Sequence, residues 1–517
     1  MVVNILLIMA DQFNARCLGV EGHPDVKTPR LDALAREGVR FTRAYAQNPI
    51  CTPSRVSWLT GLYPHNHGYY GLSGPNAPWL PHAFAHVRAH GYVTGAVGKL
   101  HCPFGWLEPH LDFRREAYAY GDPFRSSDYG EYLRGAGLLD DRDDDVLQEW
   151  AATGGRGQGL DARPSRLPYE HCVDHWTAAQ AISFLQQRPK DRPFFLWVSL
   201  PRPHQVWTPS REFWELYDDE TLTLPPNAGD TLTGKPPHVR AMLRQREGTW
   251  QWVFEPRDWQ HGFRRTLRGY LACVTQVDRA TGEVLDALDA LGLRDDTIVV
   301  FSADHGGFAG DHGIVEKAPG VAYEATTRIP FIWRAPGCTA AGHVAGELVE
   351  SIDFLPTVCR LAGIPLPQMC DGRDLSALLR GERRPVRDAA FTENVWTKRI
   401  RTGRWSFVHY QPEMFPELAG DTPPDVGELY DMEADPWELH NLYGDTQYRD
   451  VVCDLRRSLL KWMIGTHHPI TVLPMPSTLV GSEQATTVPA TRLPEDGRIP
   501  PAHLVQHVRQ TRSRNYL

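Results

Sequence analysis

The sequence has no CxxC pair, no excess of basic residues, no internal repeat, no low-complexity block and no apolar run long enough to span a bilayer. Its nine cysteines are odd in number and scattered. That argues against a disulfide framework or a zinc knuckle, and most of them are expected to be reduced, buried and inert. Lys and Arg total 54 against 63 Asp and Glu, for a net charge of -9, so no general surface for nucleic acid or an anionic membrane is expected. The opening Met-Val-Val-Asn-Ile-Leu-Leu-Ile-Met-Ala-Asp lacks a basic n-region and a small-residue cleavage site. A soluble, acidic, cytoplasmic protein is the expectation.

What is there is an ordinary globular composition over 517 residues, 42% hydrophobic and 23% charged. That length allows one large core and a smaller subdomain. Short runs rich in Val, Ile and Phe read as buried strands over Val3–Ala10, Tyr92–Val97, Phe194–Leu200, Thr297–Ala303 and Arg328–Trp333. Between them lie helical patterns. Thr28-Pro29 reads as an N-cap and first-turn proline, Leu31, Leu34 and Ala35 as the apolar face, and Gly38 as the C-cap. Leu267–Leu291 is a longer periodic stretch ending at Gly292. The alternation predicts an α/β fold with a largely parallel sheet. Pro-rich and charged stretches over Asp122–Pro168 and Asp219–Arg257 read as insertions near a site, outside the core. The organisation expected is a main domain over 1–384, a small antiparallel subdomain over 385–465 that includes Trp405–Tyr410, and an extended tail over 466–517. Such a tail suggests a homodimer or homotetramer.

In open α/β sheets, ligands bind beyond the carboxyl ends of the strands. Four of the predicted strands are followed there by polar groups: Asp11 and Gln12; Lys99 and His101; His204; and Asp304 and His305. Asp11, Asp304 and His305 can form a cation site, with Gln12 adding a neutral oxygen. Carboxylates favour hard divalent ions, and a histidine tilts the choice toward manganese over a pure calcium cage. Lys99, His101, His204 and Lys317 would then be cations or proton carriers around a bound anion. Taken singly each has a plainer reading, since Asp-His-Gly is a common turn and Lys-x-His is commonly solvated surface.

The most specific segment is Asn48-Pro49-Ile50-Cys51-Thr52-Pro53-Ser54-Arg55. Pro53 suits a first helical turn, and Ser54–Leu62 can continue as helix. Cys51 would then sit at a helix N-terminus, where the dipole and free N–H groups favour an anion. Arg55 follows one turn later on the same side. A buried structural cysteine is the alternative. A plain thiolate nucleophile lacks the glycine-rich cradle that cysteine phosphatases place between Cys and Arg.

Cys51-Thr52-Pro53-Ser54-Arg55, followed by Leu59-Thr60-Gly61-Leu62-Tyr63-Pro64, resembles the signature of the type I, formylglycine-dependent sulfatases of the alkaline phosphatase superfamily. Asp11-Gln12, Gly98-Lys99-Leu100-His101, Pro203-His204, Ser302-Ala303-Asp304-His305-Gly306 and Lys317 resemble further family positions, in family order, over roughly Val3 to Pro365. The resemblance implies an alkaline-phosphatase-like α/β sandwich with a small C-terminal α+β subdomain. It implies that a formylglycine-generating enzyme oxidises Cys51 to Cα-formylglycine. It also implies one divalent cation, Ca2+ or Mn2+ ahead of Mg2+, held by Asp11, Asp304, His305, residue 51 and Gln12. Hydrated, the aldehyde is a geminal diol. One hydroxyl attacks sulfur, and the other collapses to expel sulfate without a second water attack. By the same resemblance Arg55 and Lys99 orient the diol, His204 and Lys317 face the leaving oxygen with His204 the acid, and His101 is the base for the second hydroxyl. The implied substrate is a small sulfate ester, with no nucleic acid and no membrane.

Two departures stand out. Gln12 follows Asp11 where many family members have a second Asp, and His305 follows Asp304 where many have Asn. Both resemble the branch containing choline sulfatases and phosphonate monoester hydrolases. The Lys99-x-His101 pair points back to sulfatases, with phosphonate monoester or phosphodiester hydrolysis as the alternative. His65, Asn66 and His67 follow the helix and read as pocket residues or loop anchors. Trp207 and Trp250 are left without a role.

Overall fold

Ile5 to Ala10 are all fully buried, so β1 (Asn4–Asp11) is covered on both faces. That is why its sequence is a continuous apolar run with no alternation. Each of its Ile and Leu side chains contributes on the order of 1.5–3 kcal/mol through burial. The structure is a computed structural model that describes residues 3–75, 80–117, 126–142, 145, 162–205, 207–242, 259–318, 320–411 and 426–468. Parts of both expected insertions, Trp250 and the tail beyond residue 468 lie outside the described residues.

Eight further strands complete the large sheet: β2 (Val39–Tyr45), β3 (Val93–Gly98), β4 (Phe113–Glu116), β5 (Phe194–Pro203), β6 (Thr297–Ala303), β7 (Arg328–Ile329), β8 (Phe331–Arg334) and β9 (His343–Glu350). Their order is β4-β3-β5-β1-β6-β8-β2-β7, with β9 paired to β2. The strands β4, β3, β5, β1 and β6 are neighbours and all parallel. The expected strand over Arg328–Trp333 is two, separated at Pro330, whose missing N–H cannot join a ladder.

Five helices matter to the site and its support: α1 (Pro29–Glu37), α2 (Cys51–Thr60), α3 (Val173–Gln187), α4 (Trp259–Ala290) and α5 (Phe354–Ala362). The helix expected over Leu267–Leu291 begins eight residues earlier, at Trp259. Gly38 does end α1, but its backbone is extended, with φ -126°. Its glycine answers a different need: a Cβ there would meet the Trp333 carbonyl oxygen at 2.1 Å. All ten residues of α2 are buried. Trp58 packs edge-on to Phe331 at 5.6 Å and against Phe354 at 5.5 Å, which fixes α2 between the large sheet and α5. Among the described residues, no helix is long and apolar enough to cross a membrane.

A second sheet is antiparallel throughout: β10 (Ala389–Glu393), β11 (Thr397–Thr402), β12 (Trp405–Tyr410) and β13 (Gly427–Asp431). A sixth helix, α6 (Arg449–Thr466), buries Val452, Leu455, Leu459 and Trp462 with Phe407 and Leu429 of this sheet. β10 is stitched to the chain leading into α2. The Asn48 side chain donates to the Glu393 carbonyl at 2.7 Å, and the Glu393 N–H donates to Gln47 at 2.8 Å.

The expectation that Asp219–Arg257 lies outside the core is corrected for its described part. Leu232, Val239 and Met242 are buried with Phe308, Ile314, Tyr323 and Tyr430. Isolated apolar residues among prolines and charges can be buried without any periodicity that marks them. This cluster surrounds a polar hub. Glu428 accepts the hydroxyls of Tyr323, Tyr430 and Tyr410, the last at 2.6 Å, and Lys235 donates to Tyr430 at 2.8 Å. His312 contacts Asp230 at 2.7 Å. His312 is therefore tied to Asp230, and Tyr323 to Glu428 of β13.

Candidate active site

Because β3, β5, β1 and β6 are adjacent and parallel, their carboxyl ends open at one edge. One guanidinium joins all four. Arg55, fully buried in α2, donates from Nε to Asp304 Oδ2 at 3.0 Å and from Nη2 to Asp11 Oδ2 at 2.9 Å. Its Nη1 donates to the Lys99 carbonyl at 2.6 Å and to Ser199 Oγ at 2.7 Å. A planar fork suits this task in a way a lysine could not. Gly98 permits it: with φ +93° it turns the chain where a Cβ would meet the Ser199 carbonyl at 2.0 Å.

Cys51 opens α2 and is buried. Its Sγ lies 3.3 Å from His305 Nε2, 3.7 Å from Asp11 Oδ1 and 4.0 Å from Lys99 Nζ. Burial, then Asp11, pushes its thiol pKa up to about 12 against the pull of Lys317 and Lys99. As a plain cysteine it is a poor thiolate. Burial opposes the Asp11 charge, but Lys99, His204, Arg55 and Lys317 outweigh it and hold its pKa well below the carboxylate range. Lys99 Nζ is 2.6 Å from Asp11 Oδ2.

Asp11, Cys51, Asp304 and His305 each offer one ligand atom, and these four atoms lie within 4.8 Å of one another. His305 Nδ1 is 2.7 Å from the Gly306 carbonyl. A carbonyl only accepts, so Nδ1 carries the hydrogen and Nε2 presents its lone pair. Burial pushes its pKa down to about 4, which keeps the ring neutral. Two carboxylates and one neutral imidazole nitrogen form a donor set that fits a hard or borderline divalent cation.

Gln12, also named from the sequence, is buried beside this centre with φ +61°. Its backbone N–H donates to Asp304 Oδ1 at 3.0 Å. Its amide nitrogen donates to Glu316 Oε2 at 3.1 Å, and its amide oxygen accepts from Lys317 Nζ. The amide is thus directed to Glu316 and Lys317. Burial works against the Lys317 charge, but Cys51, Glu316, Asp11 and Asp304 hold its pKa above the usual lysine range.

His101 follows β3 with φ +48°, and its carbonyl accepts from Thr52 Oγ1 at 3.1 Å, tying the loop to α2. Burial, then Lys99 and Arg55, holds its pKa well below the histidine range. His204 follows β5. Its Nδ1 lies 2.7 Å from the Gln205 carbonyl, which leaves Nε2 available. Burial, then Lys317 and Lys99, lowers its pKa in the same direction. His65, Asn66 and His67 contact Glu393 at 2.6 Å, Asp371 at 2.8 Å and Ser57 at 2.9 Å respectively, which are loop-anchoring contacts. Trp207 is buried, with its indole N–H donating to the Pro203 carbonyl at 2.8 Å.

Sequence reasoning missed Ser199 and Glu316. Ser199 reads as one small residue in a strand and carries no signal. Glu316 had one, its adjacency to Lys317.

The family model described as Sulfatase matches residues 3–364, and one described as N-sulphoglucosamine sulphohydrolase, C-terminal, matches residues 310–464. The chain is 28% identical over 489 residues to an arylsulfatase of Clostridium perfringens, covering 89% of this chain and 94% of that protein. It is 29% identical over 455 residues to a choline-sulfatase of Rhizobium meliloti, covering 85% and 82%. Its fold superposes with a TM-score of 0.76 on the phosphonate monoester hydrolase of Agrobacterium radiobacter, at 24% identity, covering 90% of this chain and 96% of that one. The architecture is alkaline-phosphatase-like: a large, mostly parallel sheet flanked by helices.

Proposed function

This chain belongs to the sulfatase family, and we propose that it hydrolyses a sulfate monoester at residue 51 after a formylglycine-generating enzyme converts Cys51 to Cα-formylglycine. The observation that carries the reading is the convergence of Asp11, Asp304 and His305 on Cys51 at the N-terminus of a buried helix. Asp11, Asp304, His305 and residue 51 would hold one divalent cation, Ca2+ or Mn2+, with Gln12 beside them. The cation would supply Lewis acidity toward the attacking hydroxyl and the ester oxygens.

The chain's own residues do the rest. Arg55 holds the two carboxylates at fixed positions, and Lys99 sets positive charge beside Asp11 and residue 51. His204 and Lys317 serve the leaving oxygen; His204, with its Nδ1–H held by the Gln205 carbonyl, acts as the acid through Nε2 only once the bound anionic ester has drawn a proton there. His101 is kept neutral by its surroundings, which suits it to take the proton of the second hydroxyl as sulfate leaves.

A second reading, hydrolysis of phosphonate monoesters or phosphodiesters, is favoured by one feature: His305 Nε2 stands 3.3 Å from Cys51 where many sulfatases place an asparagine. Comparing kcat/KM on one aryl sulfate with the phosphonate monoester and phosphodiester of the same phenol decides between them, using protein co-produced with the maturation enzyme. A preference for the sulfate supports the first reading, and a preference for the phosphorus esters replaces it with the second. No turnover of any of the three would overturn both.

A further inference from the structure

Glu316 has no assigned part in the reading above, yet it touches two residues that do. Its Oε2 accepts from the Gln12 amide nitrogen at 3.1 Å, and its Oε1 lies 3.4 Å from Lys317 Nζ. Gln12 closes the triangle by accepting from the same ammonium. Both charged side chains are largely enclosed, Glu316 13% and Lys317 10% exposed. Among the described residues, Glu316 is the one carboxylate within ion-pair distance of Lys317. The other two carboxylates of the site are engaged elsewhere, Asp11 by Arg55 and Lys99, and Asp304 by Arg55.

A lysine ammonium has three N–H groups on a flexible stem. Here one N–H donates to Gln12, and the Glu316 carboxylate 3.4 Å away draws the ammonium to the same side as an ion pair. Gln12 is itself clamped. Its N–H is held by Asp304, its carbonyl accepts from Tyr270 at 2.9 Å, and a Cβ at Gly307 would come within 2.8 Å of its side chain. The triangle therefore has one rigid corner and one charged corner, and Lys317 is directed by both.

The geometry points to Glu316 as a positioning residue that aims the Lys317 ammonium at the leaving oxygen and supplies the negative charge a neutral Gln12 cannot. This rests on the proposed reaction, in which Lys317 stabilises the departing alkoxide. It makes the dependence on leaving group the informative readout. A good leaving group needs little stabilisation from Lys317, and a poor one needs a great deal.

The test uses the matured, cation-loaded enzyme and a series of aryl sulfates of rising phenol pKa. Glu316→Gln is expected to lose about 10-fold in kcat/KM on the best leaving group and about 100-fold on the worst, mostly in kcat, within the usual range for proton and charge assistance. Lys317→Ala is expected to steepen the same dependence, and the double variant to be no worse than Lys317→Ala alone. Glu316→Asp keeps the charge and is expected to recover part of the loss. It also carries the test if Glu316→Gln fails to fold. An equal loss across the series, or additive effects in the double variant, would overturn the proposal. Failure of the reaction itself shows separately, as wild-type protein that turns over no ester in the series. If the phosphonate reading holds, the same phenols on phosphonate monoesters carry the test.

Discussion

Asp11 Oδ2 lies 2.6 Å from Lys99 Nζ, although their strands are not neighbours: β5 runs between β1 and β3. The contact is made at the carboxyl ends of the strands, beside Cys51 at the start of α2. Lys99→Ala is expected to lower kcat/KM on an aryl sulfate by about 10²–10³, the usual loss for a preorganised donor. The fold should survive, because Arg55 still pairs with Asp11. Steady-state kinetics beside a melting curve separate the two effects, and a loss below about fivefold would count against a role for Lys99 in charge stabilisation.

Cys51→Ala is expected to abolish turnover while leaving the unfolding midpoint nearly unchanged, since the site loses one small buried side chain. His101→Ala is expected to let a sulfated residue 51 accumulate. Mass spectrometry of the peptide containing residue 51, after a burst with substrate, reads this directly. Normal residual turnover in the first variant, or no trapped species in the second, would refute the corresponding role.

Arg55→Ala would leave Asp11 and Asp304 buried without the guanidinium they share. A destabilisation of about 3–5 kcal/mol is expected, the usual scale for removing one partner of a buried ion pair. Urea unfolding of the chelator-treated protein is the measurement. An effect under about 1 kcal/mol would mean that Arg55 is not what holds the four strand ends together.

Asp278, in α4, accepts the N–H groups of Leu31 at 2.7 Å and Arg30 at 3.2 Å at the start of α1. Burial raises its pKa from the usual 3.8 to about 7, against the pull of those two bonds. Between these values the native state keeps a proton that the unfolded chain has released. Stability from this group therefore falls as pH rises through the window, by on the order of 2–4 kcal/mol. Asp278→Asn should remove that slope. Unfolding free energies at pH 4.5 and 7.5 that change equally in both proteins would exclude it.

Much of the sheet was legible because a strand buried on both faces advertises itself as an apolar run, as Ile5 to Ala10 do. The edge of the sheet was legible because short apolar runs that end in Asp, Lys or His are easy to see. What stayed hidden depends on contacts far apart in sequence. Nothing local distinguishes Ser199 from any small strand residue, yet it is one of four anchors for Arg55. Pro330 is visible in the sequence, but it splits one strand in two only because the ladder on both sides of it needs an N–H that proline lacks. Leu232 and Val239 sit among charges and prolines, where no period marks them, and are buried because Phe308 and Tyr430 come to meet them. From the sequence alone Gln12 reads as a ligand to a cation. Its direction toward Glu316 and Lys317 depends on a residue 304 positions later, which no spacing rule reaches.

The burial of Cys51, at 2% exposure at the N-terminus of an anchored helix, sets an order of events in time. On the proposed maturation a second enzyme would have to grasp the chain around residue 51, and in the folded protein every residue from Ala44 to Pro64 is buried. On the proposed maturation, oxidation at this position would therefore have to be finished while the chain is still open. A molecule that folded first would then be committed to its thiol for as long as it stayed folded, so a preparation would hold two populations alike in shape and different for good in competence.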